Sequence, residues 1–395
     1  MITTVLPTYN RAPLAFVKGS GSWLETADGT RYLDLGAGIA VNILGHAAPE
    51  LVAALSGQAE KLWHVSNLYH IPEQQQLADM LVDKTFADTV FFTNSGTECA
   101  ELAVKMARKY WSEKGQPERT GFLCFEGAFH GRSTAAIAAA GSEKMVKGFG
   151  PLMPGFRQLP WGDLDAVRDA ITPETAAIWL EPVQGEGGIR TASDAFLRGL
   201  REICDETGTL LIFDEVQCGV ARTGKLFAHE WAGVTPDIMM VAKGIGGGFP
   251  LGAVLATENA ASGMLAGSHG STYGGNPLGC AIGAKVLEIT SDPAFLDAVS
   301  AKSAQLRQGL EALVAAHPEL FEEVRGVGLM LGLKCKPACQ AADFVKAGYG
   351  QHILTVPAAD NVVRLLPALN IPEADLAEAL SRLEATARSL EAPAA

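Results

Sequence analysis

The chain has 395 residues, of which 48% are hydrophobic and 19% charged, enough apolar material for two or three packed domains and too much for a disordered chain. Thirty-one Lys and Arg against 44 Asp and Glu give a formal charge of -13, which argues against a generic nucleic-acid or anionic-membrane binder. Seven scattered cysteines fit buried thiols in a reducing compartment better than a disulfide framework.

The segment Met1–Ala15 lacks a basic region followed by an apolar run, so no signal peptide is expected. No window of about 18 uninterrupted apolar residues occurs, so no membrane span is expected. A cytoplasmic location is the expectation. Trp23–Leu35 reads as two short strands around Asp28–Gly29. Glu50–Leu62 and Pro72–Thr85 follow with helical periodicity. Six short apolar runs then alternate with helical stretches: Val90–Thr93, Phe122–Phe125, Ala177–Leu180, Leu210–Phe213, Ile238–Val241 and Ala253–Ala256. Nearly continuous apolar strands are those buried on both faces, as in a parallel sheet. The intervening helices are predicted at Glu98–Lys114, Ser142–Lys147, Leu164–Ala170 and Ala195–Thr207. Beyond Tyr273 come long helices, Gly279–Thr290 and Phe295–Ala316, then strands Gly328–Lys334 and Val362–Leu366, and a last helix, Glu373–Leu390. The tail Pro393–Ala395 is expected to fray. This is an α/β architecture: residues 1–50 and 291–395 are expected to form a smaller domain from both chain ends, around a large domain of residues 51–290 with a mostly parallel sheet.

Four segments carry candidate chemistry. In Thr209–Gln217 an apolar strand ends in Asp214 and Glu215, at the strand end where α/β sheets bind ligands. A helix N-cap is the competing reading of Asp214. Lys243 follows another strand and precedes Gly244 and Gly246–Gly248; a partly desolvated lysine there can act as an amine nucleophile, though a surface turn has the same composition. Phe92–Glu98 runs from strand into Ser95–Gly96–Thr97 at a helix start, either an anion site or an ordinary cap. Phe125–Ser133 places Phe129, His130 and Arg132 around Gly131, which suits a planar anionic ring or a solvated loop. Two near-misses fall away. Gly219–Lys225 has phosphate-loop spacing, but Leu226 stands where a Ser or Thr would hold magnesium, and His229–Glu230 lacks the second zinc histidine at Gly233. No metal site is expected; Cys335 and Cys339 lack further ligands.

Together the four segments ask for one ligand with a cationic ring nitrogen, a carbonyl, a phosphate and a flat ring. Pyridoxal 5′-phosphate has all four. In order along the chain, GIAVNILGH (Gly38–His46), NSGTE, FHGRS, EPVQGEGG (Glu181–Gly188), FDEVQCGVARTGK, AKGIGGGFPLGA, HGSTYGGNPLG (His269–Gly279) and VVRLLPALN (Val362–Asn370) resemble subgroup III (ornithine-type) aminotransferases of fold type I. The likeness spans nearly the whole chain and is strongest to bacterial members acting on acetylornithine.

The resemblance implies roles. Lys243 would be the Schiff-base lysine and proton shuttle, and Asp214 the partner of the pyridinium. Glu215, beside it, belongs to the same cofactor segment; Val216 would pack under the ring, Gln217 would bond its hydroxyl and Phe129 would stack on the other face. Gly96 and Thr97 would hold the phosphate with Thr272 of the second subunit in a homodimer that shares its active sites. Arg132 and Ser271 would contact acetylornithine. Arg364 would hold the α-carboxylate of glutamate, and Glu186 would neutralise Arg364 when the donor is a terminal amine. The implied reaction moves the terminal amino group of N-acetylornithine to 2-oxoglutarate, a step of arginine biosynthesis. Gly38 stands where ornithine-specific members carry an aromatic, leaving room for an N-acyl group. Activity on succinyldiaminopimelate, ornithine or 4-aminobutyrate is the rival within the family. A non-catalytic protein that kept the fold is the rival outside it, and the presence of both Lys243 and Asp214 speaks against that.

Overall fold

A computed structural model describes residues 3–391, so the tail Pro393–Ala395 lies outside the described residues. Strands β1 (Phe16–Ser20), β2 (Trp23–Thr26) and β3 (Arg31–Asp34) open the chain, with β2 and β3 flanking Asp28–Gly29. Asp28 Oδ1 accepts from Thr30 N–H at 3.1 Å, and Gly29 takes φ +87°, which the turn requires. The central part contributes β4 (Thr89–Thr93), β5 (Gly121–Phe125), β6 (Phe156–Leu159), β7 (Thr175–Leu180), the two-residue strands β8 (Val183–Gln184) and β9 (Arg190–Thr191), β10 (Leu210–Asp214), β11 (Ile238–Val241) and β12 (Gly252–Ala256). The C-terminal part adds β13 (Phe321–Val327), β14 (Met330–Cys335), β15 (Ile353–Leu354), β16 (Val356–Ala358) and β17 (Val362–Leu365).

All six apolar runs lie in one seven-stranded sheet of order β4-β12-β11-β10-β7-β5-β6. Strand β12 alone runs opposite to the other six strands of this sheet. Ten residues link β11 to β12, too few for a crossover helix, so the chain turns straight back. Alternation along β10 divides its burial between two cores. Leu210 and Ile212 join Cys99, Met106 and Trp179 on one face, while Leu211 and Phe213 join Val167, Phe196 and Leu200 on the other. Burying each such side chain contributes roughly 1.5–3 kcal/mol. Helix Gly96–Glu113 covers the first face and helix Asp194–Thr207 the second.

The chain ends meet in a four-stranded sheet, where β15 pairs in parallel with β3 through Ile353–Leu33 and Leu354–Asp34. A second, antiparallel sheet of order β13-β14-β17-β16 lies alongside. One hydrophobic cluster contains Leu33, Leu51, Met239, Leu310, Leu365 and Leu376, so it runs unbroken from the N-terminal segment through the central sheet to the C-terminal helix. Among the described residues no helix is long and apolar enough to cross a membrane.

Candidate active site

Parallel strands deliver their carboxyl ends to one edge of the central sheet, and a cavity of about 330 Å³ opens there. Gly96, Thr97, Phe129, Asp214, Val216, Gln217 and Lys243 all line it. Four separate segments of the sequence thus converge on one space. Helix Gly96–Glu113 begins at its wall. Ser95 Oγ accepts from Glu98 N–H at 3.3 Å, so the cap and the anion site coexist: the cap uses Glu98, while the first N–H groups have no acceptor within the helix. Gly96 is required by packing, since a Cβ there would sit 2.8 Å from Val216 Cγ1.

Asp214 is buried at the end of β10. Its Oδ1 accepts from Val216 N–H at 3.0 Å, and its Oδ2 lies 2.8 Å from His130 Nδ1. His130 is stacked on Trp179 with ring centroids 4.0 Å apart. The aspartate is therefore held at a fixed angle. Lys243 has φ +49°, a left-handed backbone uncommon for a side-chain-bearing residue, at the start of a single turn of 3-10 helix. Burial pulls its amine below the usual lysine value; the Arg364 charge adds to this, and Glu186 opposes it. Glu181 also lines the cavity. Burial first, and the Asp214 charge second, push its carboxyl up to about 8, against the bonds it accepts from Phe129 N–H at 2.9 Å and Gly185 N–H at 3.2 Å. Neither Glu181 nor His130 was assigned a role from the sequence.

Arg364 is fully buried on β17 and meets Glu186 Oε1 at 2.6 Å through Nη1. The same Nη1 lies 3.2 Å from Gln217 Oε1, and Nη2 donates to Pro357 carbonyl at 3.2 Å. Glu186 is one-third exposed, so the carboxylate is the partner with room to move. Gly185 makes this contact possible, because a Cβ there would be 2.3 Å from Gln217 Oε1.

Other expected residues lie elsewhere. Glu215 is turned away from the cavity: its carboxylate accepts from Ala228 N–H at 2.6 Å and His229 N–H at 2.9 Å and meets His229 Nδ1 at 2.8 Å. The Glu215 side chain anchors the 3-10 turn that follows. Thr272 is exposed and Ser271 half-buried; with Asn94, Thr97 and Glu98 they form a neighbouring hollow. Ser271 Oγ accepts from Gly274 N–H at 2.9 Å. Arg132 is exposed, its guanidinium 5.6 Å from the Phe129 ring centroid. Glu186 and Arg364 adjoin the main cavity without being among its lining residues. The described residues contain no His, Cys, Asp and Glu group fit to hold a metal.

The aminotransferase class-III family model matches residues 5–387. The chain belongs to this family. It is 77% identical over 391 residues to an acetylornithine aminotransferase of Rhodobacter capsulatus, with 99% of each chain covered. It is 58% identical to an acetylornithine aminotransferase of Mesorhizobium japonicum, covering 97% of this chain and 96% of that one. Among solved structures, an N-acetylornithine aminotransferase of Stenotrophomonas maltophilia superposes with a TM-score of 0.85 at 38% identity, covering 96% and 97% of the two chains. An ornithine aminotransferase of Toxoplasma gondii gives 0.94 at 30% identity, covering 98% and 93%. The family uses pyridoxal 5′-phosphate, and the chain is a transaminase of fold type I. The cavity fits that group on its own terms: it offers helix-start N–H groups, an aromatic ring, an oriented carboxylate and an amine depressed by burial.

Proposed function

We propose that the chain transfers the terminal amino group of N-acetyl-L-ornithine to 2-oxoglutarate, giving N-acetyl-L-glutamate 5-semialdehyde and L-glutamate in arginine biosynthesis. The observation that carries this reading is the Glu186–Arg364 pair beside Lys243, 2.6 Å between Nη1 and Oε1. One site must accept an amine remote from its carboxylate and, in the other half-reaction, glutamate. A free arginine would favour glutamate in both. Paired with Glu186, Arg364 is neutralised for the acetylated donor; released, it grips an α-carboxylate through paired hydrogen bonds.

When bound, pyridoxal phosphate supplies a carbonyl that condenses with amines and a ring that takes up electron density from the substrate carbon. Lys243 would hold the group and move the proton at that carbon; burial lowers its amine below the usual lysine value, which favours the unprotonated form that such a role needs. Asp214, oriented by His130 and the Val216 N–H, would pair with the ring nitrogen. Gln217 would bond the ring hydroxyl, Phe129 and Val216 would take the two ring faces, and Gly96 and Thr97 would hold the phosphate. Arg132 and Ser271 contact the acetylated donor. We further place the enzyme in the cytoplasm as a homodimer with Thr272 completing the partner's phosphate site, and divide it at residues 50 and 290. Exposed Leu62, Trp63, Leu68, Tyr69 and Tyr273 support a self-association surface near Thr272.

Single-turnover measurements test the substrate reading through the spectrum of the bound cofactor. Mixing with acetylornithine should convert it faster than ornithine, 4-aminobutyrate or succinyldiaminopimelate. Glu186→Ala should accelerate the glutamate half-reaction relative to the acetylornithine one, and Arg364→Ala should mainly slow the glutamate side. Equal slowing of both half-reactions by both substitutions would make the pair scaffolding.

A further inference from the structure

Glu181 is buried at 5% exposure, lines the cavity, and accepts hydrogen bonds on both carboxyl oxygens from two different loops. One bond comes from the N–H of Phe129, the residue on the ring face. The other comes from the N–H of Gly185, next to Glu186 in the segment joining β8 to β9. The two loops touch again beyond it. Gln184 Nε2 donates to Glu126 carbonyl at 3.0 Å, and a Cβ on Gly187 would lie 2.5 Å from Gly127 carbonyl oxygen. An apolar residue would fill the space behind them at lower desolvation cost. Only an acceptor with two oxygens satisfies both N–H groups at once.

We propose that Glu181 is a positioning residue that couples the Glu186 loop to the Phe129 ring face, so that the state of the Glu186–Arg364 pair is felt at the cofactor. This rests on the reading of Glu186 as the donor selector. A carboxyl group clamping both backbones makes the two loops move as one body. Displacement of Glu186 toward or away from Arg364 then shifts the ring's aromatic wall, and each substrate class meets its own ring setting.

Glu181→Gln retains shape but has one acceptor oxygen, and its NH2 group opposes the second N–H. Glu181→Ala removes both bonds. Hydrogen–deuterium exchange on the cofactor-free protein reads the clamp directly: both the 126–131 and 183–188 segments should exchange at least tenfold faster in Glu181→Ala. In Glu181→Gln at least one should. Pyridoxal phosphate affinity, measured by titration, should fall about tenfold. The ratio of acetylornithine to glutamate half-reaction rates should change at least threefold in Glu181→Gln, and this change should vanish in a Glu186→Ala background. Unchanged exchange in both segments overturns the clamp. Faster exchange with the rate ratio unchanged leaves a structural carboxyl group and overturns the coupling. If Glu181→Ala does not fold, Glu181→Gln carries each measurement. Failure of the parent enzyme to react with acetylornithine would instead overturn the substrate reading, because the exchange measurement needs no substrate.

Discussion

Asp214 illustrates how a single residue is made into a site. Its carboxylate is fixed at both oxygens, by the Val216 N–H and by His130, and His130 is fixed in turn by stacking on Trp179. A carboxylate so oriented can keep a ring nitrogen protonated, which is what makes the ring an electron acceptor. Asp214→Asn retains the hydrogen-bonding shape and loses the charge. Each pKa unit of pyridinium stabilisation is worth about 1.4 kcal/mol, so loss of several units lowers the rate by orders of magnitude. The expected outcome is an unchanged far-ultraviolet spectrum with kcat down at least 100-fold; activity within a few-fold of the parent would contradict the role. At this scale the sequence was informative where a residue stands beside its own strand end, as Asp214 and Lys243 do. It was silent on partners brought from afar. His130 is 84 positions from Asp214, and Glu181 is 52 from Phe129. The one available signal for Glu181 was an acidic residue directly after the apolar run of residues 176–180 in β7.

At the scale of elements, the contact between the start of helix Gly96–Glu113 and the residue after Glu215 sets the width of the cavity. Gly96 has a helical backbone, so alanine would be tolerated by conformation. The obstruction is steric: the new Cβ would stand 2.8 Å from Val216 Cγ1 and 3.1 Å from Cγ2. Overpacking of this kind costs about 1–3 kcal/mol. The helix start or Val216 must yield, and both line the cavity. Gly96→Ala is expected to weaken pyridoxal phosphate binding about tenfold in a titration. Gly96→Ala/Val216→Ala, which removes the obstructing methyl groups, should bind more tightly than Gly96→Ala alone. No recovery in the double variant would place the defect in the helix-start N–H groups. Element boundaries show the same division between local and distant causes. Leu164–Ala170 and Ile238–Val241 match their expected limits because apolar pattern and burial coincide. Strand β6, FRQL, escaped because an edge strand with one buried face carries too few apolar residues to stand out. Thr134–Ala140 is helical although its alanine run has no polar face to mark a period. The reversed direction of β12 is a matter of loop length, which periodicity along a strand does not record.

The whole molecule joins its two ends around the central sheet, and Arg222 shows how. Its Nη1 donates to the carbonyls of Leu329 at 3.0 Å and Pro367 at 2.6 Å, while its own carbonyl accepts from Leu329 N–H at 3.0 Å. Burial pulls this guanidinium down to about 9. The segment that has phosphate-loop spacing is therefore a clasp between the central and C-terminal sheets, and its acceptor Pro367 stands three residues beyond Arg364. In the homodimer proposed above, Thr272 serves either its own subunit's site or its partner's. Thr272 shares a hollow with Thr97 of its own chain and does not line the cavity, so geometry within one chain admits either assignment. Mixed dimers separate them. Thr272→Ala alone should weaken cofactor retention several-fold while the protein stays dimeric. Lys243→Ala alone should abolish turnover. In a heterodimer of the two variants, sharing across the interface places both lesions in one site and leaves the other with an intact Lys243 and an intact Thr272. That heterodimer should retain one tightly held cofactor and about half the parent's activity. If each site uses its own Thr272, one site lacks Lys243 and the other lacks Thr272, so no tight site remains and activity falls to at most half that of the Thr272→Ala dimer. Differently tagged subunits purified as the heterodimer, followed by cofactor titration and kcat, distinguish one intact site from none.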